Sequence, residues 1–353
     1  MRKNKFLILG LCLLLSACST TDGTQTSTQA EYEAMVPFES SDTRVKHVGL
    51  VSDMNIRIEM EQGLMDLSKN HFAPGDVGFR THQFLDYDTL DATDGSRGLL
   101  GTNRDDNPNG LNPAREEEFD TGNGMVKEAT VLLDIYELDF YKGDNLKGIS
   151  LGLVVSDELE GNDGPVAISE KVIKNYIEVA SNKLVSYMRE RFNEIGKNTP
   201  IYVAAYQLNH TEEDSNGSYI YEGYFDKNQS TFSNIEEDWE SMPSSSFAKK
   251  DPKTSEEFTT FQQDVASVLP DQTYVIGKAK YEKNKLSNVS LTITANGKTA
   301  SEILAVCQTI RHSMDSFSNT DCMYNVKLYN ENELYAMIQR LPGSKETTII
   351  SIL

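Results

Sequence analysis

Residues 148–156 read GISLGLVVS, and the reading of this stretch decides the fold. Ile149, Leu151, Leu153 and Val155 alternate with smaller neighbours and no charge interrupts them, the pattern of a largely buried strand. A Gly164-Pro165 turn follows. Val172, Ile173, Tyr176, Ile177, Ala180, Leu184, Tyr187, Met188 and Phe192 then keep a 3.6-residue period, which predicts a long amphipathic helix. Pro200 opens a second strand, IYVAAYQL (201–208), and a turn at Asn216-Gly217 leads into a third, SYIYEGYF (218–225). The unit is strand, helix, strand, strand.

The last third repeats this pattern. NVSLTITA (288–295) alternates as a strand, and Thr299-x-x-Glu302 is a capping-box start for a helix reaching Phe317, with Ile303, Val306, Cys307, Ile310, Met314 and Phe317 as its buried stripe. MYNVKLYN (323–330) returns as a strand, a short helix is expected over Glu333 to Gln339, and TTIISIL (347–353) closes as a strand. Between the units lie a polar loop from Lys227 to Lys253, a helix beginning near Thr254-x-x-Glu257, and a strand, QTYVIGKAKY (272–281). These readings predict an α+β fold in two parts. The C-terminal part holds the repeated units, a mainly antiparallel sheet packed by long helices, and is a candidate internal duplication.

Upstream, helical spacing recurs around Ile56 to Leu67 and again at Val126 to Phe140, where Val131, Leu132, Ile135 and Leu138 set the period. The Gly/Asn/Asp/Pro-rich stretch from Asp91 to Asn123 is long for a loop without structure, which marks it as mobile or functional. Residues 19–34 are polar and without period, a flexible tether. The expected organisation is a leader over 1–17, a tether over 18–35, an N-terminal domain over 36–145 and a C-terminal domain over 146–353.

The leader has its own logic. Arg2, Lys3 and Lys5 precede a short apolar run, Phe6 to Leu15, and small residues Ser16 and Ala17 stand before Cys18, the layout of a signal peptide. The run is about ten residues, where a membrane-spanning helix needs about twenty. Leu15-Ser16-Ala17-Cys18 resembles a bacterial lipobox, in which the Cys thiol is thioether-linked to diacylglycerol and the chain is cut between Ala17 and Cys18. Each buried methylene of an acyl chain contributes about 0.8 kcal/mol, so several chains make a durable anchor. The reading places the protein on the outer face of the cytoplasmic membrane, in contact with lipoprotein-processing enzymes.

The 353 residues carry 33 basic and 54 acidic side chains, a net charge of −21. Removal of residues 1–17 takes Arg2, Lys3 and Lys5 but no acid, leaving 30 basic against 54 acidic residues, or −24. Such a surface repels nucleic acid and anionic headgroups. Beyond Cys12 and Cys18 only Cys307 and Cys322 remain. A strand returning along the 299–317 helix would set Cys307 opposite Val326 or Lys327, so two buried, reduced cysteines are expected.

Motifs of chemistry are sparse. His47, His71, His82, His210 and His312 show no metal-ligand spacing, no nucleophile turn or phosphate loop occurs, and GSRGLLG (95–101) has the wrong glycine spacing for a dinucleotide site. No cofactor is implied. Asp105-x-Asn107-x-Asn109-Gly110 followed by Glu116 satisfies the spacing of a calcium-binding loop, but Pro108 and Pro113 stiffen it, Asn112 takes a position usually apolar, and the preceding segment does not read as a helix. A polar, turn-rich loop is the simpler reading. Tyr219, Tyr221 and Tyr224 fit a half-buried sheet or a glycan or peptide groove, and Trp239 fits a surface-tucked aromatic or a binding anchor.

The lipobox, VPF (36–38), LMDLSKNHF (64–72), QFLD (83–86), GLNP (110–113), GDNLKGISLGL (143–153) and GKAKYEKNKLSNVSLTI (277–293) together resemble the CamS sex-pheromone precursor lipoproteins of low-GC Gram-positive bacteria. The resemblance spans nearly the whole chain and makes GLNP a family loop. It implies that the signal peptide, once released and trimmed, supplies a short apolar conjugation pheromone, here Leu11-Cys12-Leu13-Leu14-Leu15-Ser16-Ala17. Cys12 and the leucine run depart from the Ile/Phe/Ala character of active peptides. The expected protein is a non-enzymatic, lipid-anchored surface lipoprotein whose folded body has an unassigned envelope partner. An envelope enzyme or a peptide- or glycan-binding lipoprotein are the alternatives: carboxylates converging in a deep cleft would favour the first, an apolar or aromatic-lined groove the second.

Overall fold

In a computed structural model, which describes residues 31–46, 54–91, 98–210, 217–268 and 274–351, GISLGLVVS lies at the centre of a seven-stranded sheet. In chain order the strands of the first half are β1 (Glu33–Ala34), β2 (Gly78–Thr81), β3 (Glu118–Asp120), β4 (Met125–Lys127), β5 (Leu132–Lys142), β6 (Asn145–Val155), β7 (Glu158–Gly161), β8 (Gly164–Ala167), β9 (Ile201–Leu208), β10 (Gly217–Asp226) and β11 (Gln229–Asn234). The seven-stranded sheet runs β1-β2-β5-β6-β9-β10-β11, while β3-β4 and β7-β8 are separate small hairpins. The helices of this half are α1 (Asp42–Lys46), α2 (Met54–Ser68), α3 (Tyr87–Leu90) and α4 (Glu170–Arg191). The second half has α5 (Ser245–Lys250), α6 (Pro252–Val268) and α7 (Ala300–Ser313) around a sheet ordered β12 (Glu237–Met242), β13 (Tyr274–Glu282), β14 (Lys285–Ala295), β15 (Met323–Asn330), β16 (Glu333–Arg340) and β17 (Thr347–Ser351).

The expected repeat is present and is longer than anticipated. In the first sheet the β5–β6 hairpin crosses through α4 to β9, parallel to β6, and β9 pairs antiparallel with β10. In the second the β13–β14 hairpin crosses through α7 to β15, parallel to β14, and β15 pairs antiparallel with β16. Each unit is therefore hairpin, helix, hairpin, and the fold is α+β with mainly antiparallel sheets. The turn between β13 and β14 holds Lys283 and Asn284 at φ 51° and 60°, the left-handed pair that a two-residue hairpin with the sheet's twist requires.

Several expectations are corrected. The helix read at Val126–Phe140 is β4 and β5: β5 is buried on both faces from Leu132 to Phe140, so its apolar residues carry no period of two and mimic helical spacing. The helix read at Glu333–Gln339 is β16, where Ala336, Ile338 and Arg340 are buried in alternation and cross-strand pairing overrides the helix-forming letters. The loop read at Lys227–Lys253 contains β11, β12 and α5. The helix after it starts at Pro252 rather than Thr254, because Asp251 accepts the Thr254 N–H at 3.0 Å and so caps the first turn. The domain boundary read at 145/146 falls inside the β5–β6 hairpin, and the two sheets divide between Asn234 and Glu237. The fold also begins before Val36, since β1 pairs with β2 and the Tyr32 hydroxyl donates to the Phe72 carbonyl at 2.5 Å. The leader and lipidation residues Leu11–Cys18, the tether to residue 30, and His47 lie outside the described residues.

The two faces of GISLGLVVS do different work. Ile149, Leu151, Leu153 and Val155 face the α4 side, in a core with Ile173, Ile177, Leu184 and Met188. The opposite face carries Gly148, Ser150, Gly152 and Val154, and small residues there let α2 lie close. A Cβ at Gly148 would stand 2.1 Å from the Phe72 ring, and Ser68 Oγ donates to Ser150 Oγ at 2.7 Å. Gly63 of α2 serves the same approach, since a Cβ there would meet the Tyr219 ring at 2.6 Å. The first sheet is thus covered on both faces.

Candidate ligand groove between α2 and the second sheet

The second sheet is covered on one face only. Val289, Leu291 and Ile293 of β14 and Val326 and Leu328 of β15 pack with Phe258 and Phe261 of α6 and Ile303, Val306 and Ile310 of α7. Period-two alternation sends the residues between them to the other side. There Lys278, Asn288, Ser290, Thr292, Asn325, Lys327 and Gln339, interspersed with Ile276, Met323 and Met337, form the floor of a groove of about 930 Å³. Its far wall is the outer side of α2, including Ile58, Glu59, Gln62 and Asp66, and β12 closes one end with Trp239 and Ser241. One helix thus seals the first sheet and walls the groove over the second.

Register makes the floor a ladder. Lys278 stands opposite Ser290, which stands opposite Asn325, which stands opposite Gln339. Ser290 Oγ donates to Asn288 Oδ1 at 3.0 Å, and Gln339 Nε2 donates to Asn325 Oδ1 at 2.9 Å. At the β12 end, Lys280 pairs with Glu237 at 2.9 Å and Glu282 at 3.1 Å, and its ammonium lies 5.8 Å from the Trp239 ring centre. Burial pulls the Lys280 ammonium down, but Glu237 and then Glu282 outweigh it and hold it above its ordinary range. Glu237 is raised by its burial, against the pull of Lys280. The α2 carboxylates are also engaged: Asp66 with Lys69 at 2.8 Å, and Glu59 with the Tyr206 hydroxyl at 3.2 Å. A smaller recess of about 410 Å³ beside the start of α4 has its lysine, Lys174, already paired with Glu170.

The residues singled out from the sequence lie elsewhere, apart from Trp239. Asp105, Asn109 and Glu116 are exposed, whereas Asn107 is buried and donates its amide to the carbonyls of Gly98 (2.7 Å) and Thr102 (3.2 Å), a loop-forming role. Among the described residues, no three His, Cys, Asp or Glu side chains are grouped to hold a metal ion. Asn112 of GLNP organises the 98–132 segment: its amide donates to Leu100 and Leu132 carbonyls, both at 2.9 Å, and accepts from Val131 and Leu132 N–H, both at 2.8 Å. Tyr219 is buried with its hydroxyl on the Met60 carbonyl and Tyr221 donates to Glu178, so these two hold α2 and α4 to the first sheet, while Tyr224 stacks at 4.5 Å on His71 in the turn after α2.

Cys307 and Cys322 are free and buried; burial pushes both thiols up, Cys322 to about 12, so neither is a thiolate at neutral pH. Three buried carboxylates on β5 were not anticipated; Asp134 accepts two bonds from the Arg44 guanidinium, at 2.9 and 3.1 Å, and the other two hold backbone. Glu137 accepts the N–H groups of Phe84 (2.9 Å) and Leu85 (2.7 Å), and Asp139 accepts that of Gln83 (3.0 Å), which fixes the QFLD turn. Burial, and then the Glu137 charge, raises Asp139 well above the usual carboxylate range, and burial raises Glu137 too.

The family model described as CamS sex pheromone cAM373 precursor matches residues 38–346. The solved sex pheromone precursor from Lactobacillus salivarius subsp. salivarius UCC118 is similar at a TM-score of 0.79 and 19% identity, over 94% of this chain and 98% of that one. The C-terminal domain of the sex pheromone staph-cAM373 precursor from Staphylococcus aureus is similar at a TM-score of 0.70 and 21% identity, over 84% of this chain and 96% of that one. At these identities the structures share the fold. No curated protein matches the chain. The family match runs through both sheets, α2 and every strand of the groove floor, and on that extent the chain belongs to the CamS family of sex pheromone precursors.

Proposed function

We propose that this protein is a lipid-anchored surface lipoprotein that works by binding, with the groove over the second sheet as its ligand face. The observation that carries the binding role is the contrast between the sheets: one face of the second is left without a covering helix, lined by mixed polar and apolar side chains and walled by α2, although helices cover both faces of the first. Binding is favoured over catalysis because the buried thiols are held protonated and the buried carboxylates Glu137 and Asp139, which hold the Phe84, Leu85 and Gln83 N–H groups, line neither the groove nor the smaller recess. The groove is tested by a photoreactive side chain placed at Ser290 on intact cells, with exposed Val179 of α4 as the control position. Adducts at 290 and none at 179 are expected; equal or no capture at 290 overturns the assignment.

The anchor and the leader rest on Leu15-Ser16-Ala17-Cys18 in a member of this family. Lipoprotein processing would attach diacylglycerol to Cys18, cut after Ala17, hold the body outside the cytoplasmic membrane, and release a leader from which residues 11–17 are trimmed as a conjugation peptide. Cys18→Ala should abolish labelling by a fatty-acid probe, and retained labelling contradicts the anchor. A synthetic peptide of residues 11–17 should induce clumping or plasmid transfer in responsive donor cells; silence across them removes the pheromone role.

A further inference from the structure

The hydrogen-bond order of the groove floor selects a chemistry. Ser290 and Gln339 occupy the oxygens of Asn288 and Asn325, leaving the Nδ2 donors of both amides for a ligand. Lys278 and Lys327 line the same floor, and among the described residues neither has an ion-pair partner. Of the nearby carboxylates, Asp66 and Glu237 are paired with Lys69 and Lys280, while Glu59, on the α2 wall rather than the floor, accepts from the Tyr206 hydroxyl. The floor is therefore rich in donors and positive in a chain of net charge −21. Lys278 and Lys327 are separated by two strand spacings and a two-residue offset, on the order of 12 Å between Cα atoms. That geometry suits an extended ligand bearing repeated negative charges.

A peptide is the weaker fit. Strand addition needs free backbone groups at a sheet edge, and β13 to β16 are each paired on both sides. Recognition must come from side chains: amide and ammonium donors on the floor, Ile58 and Ile276 exposed above half, and the half-buried indole of Trp239 at one end. Sugar rings, with apolar faces and acceptor-rich edges, meet that mixture. We propose that this groove binds an acidic polysaccharide, its carboxylates paired to Lys278 and Lys327 and its hydroxyls accepting from Asn288 and Asn325. The assignment rests on the groove being the ligand face.

The test uses the full chain purified in detergent, titrated calorimetrically with hexagalacturonate, neutral cellohexaose and hexaglutamate. Hexagalacturonate should bind best and weaken as salt rises. Lys278→Gln with Lys327→Gln should weaken it about tenfold, the loss of two partly exposed charge pairs, with the melting temperature unchanged. No binding of hexagalacturonate at millimolar concentration, or unchanged binding in the double variant, overturns the proposal. Cellohexaose or hexaglutamate binding as tightly, and blocked by a Gln62→Trp obstruction in the α2 wall, overturns the ligand class while keeping the groove. Hexagalacturonate binding that Gln62→Trp leaves intact overturns the groove itself.

Discussion

The two hairpin-helix-hairpin units share one connectivity and differ in what covers them. In the unit of β5, β6, β9 and β10, α4 packs one face and α2 the other, so β5, β6 and β9 are close to continuously buried. In the unit of β13 to β16, α6 and α7 pack one face and the other is a polar ladder. The difference comes from a segment outside both repeats. α2 adheres to the first sheet because Gly148, Ser150 and Gly152 leave room for it, while the second sheet presents Asn288, Ser290 and Thr292 on its bare side. Identical topology has thus been given to a stabilising core in one unit and a ligand surface in the other.

The sharpest way to break this comparison is a charge placed on the corresponding faces. Val154 is fully buried under α2, so Val154→Asp should cost about 4 kcal/mol or more, read as a collapse of the urea midpoint. Ser290 is exposed on the groove floor, and Ser290→Asp should stay within about 0.5 kcal/mol. Similar costs at both positions would mean the second sheet's face is covered after all.

The same contrast explains what was legible in the sequence. β13, β14 and β15 alternate because one side meets solvent, and their strands could be read directly; β16 alternates too, but its Glu, Leu, Ala, Met and Gln favour helix and masked the period. β5 was misread for the opposite reason: burial on both faces erases the period, and Asp134, Glu137 and Asp139, buried at 0%, 1% and 0% exposure, look like a helix's polar face. The groove was not legible because it joins α2 to strands more than 170 residues downstream. Its trace was the row of Lys, Asn, Ser, Thr and Gln at alternate positions of β13 to β16, which one sequence alone leaves indistinguishable from an ordinary wet sheet face.

The first unit also depends on a polar scaffold of buried side chains, as the second depends on Arg340, whose guanidinium donates to the carbonyls of Met314, Phe317 and Asn319. Asn112→Leu keeps the volume but strips partners from the Val131 and Leu132 N–H groups and two carbonyls, and should cost about 3 kcal/mol by chemical denaturation. Glu137→Gln leaves one of the Phe84 and Leu85 N–H groups facing an amide NH₂ and should cost about 1–3 kcal/mol. Asp139 behaves differently. Its folded pKa is raised, so its stabilising contribution is fully present below the unfolded value of about 3.9 and is lost as pH rises through the folded value. Asp139→Asn should remove that loss: its urea midpoint should gain on the wild type as pH rises from acid toward neutral and above. A constant difference across pH would place the titration elsewhere.

The smallest expected change is the most telling about the second unit. Lys278 and Lys327 contribute no ion pair within the described chain, and each projects from a strand already paired on both sides. Replacing both with Gln deletes no backbone bond and no buried contact, so folding stability should move by less than about 0.5 kcal/mol. Long-range attraction to the acidic body would make any shift slightly unfavourable and diminish it with salt, since screening at 0.1 M acts over about 10 Å. A loss above 1 kcal/mol would show the lysines to be struts of the sheet, as Asn112 and Glu137 are in the first unit. Stability untouched while hexagalacturonate binding falls would separate the two units by function: side chains opposite the helix are held by the fold in one, and held out to a ligand in the other.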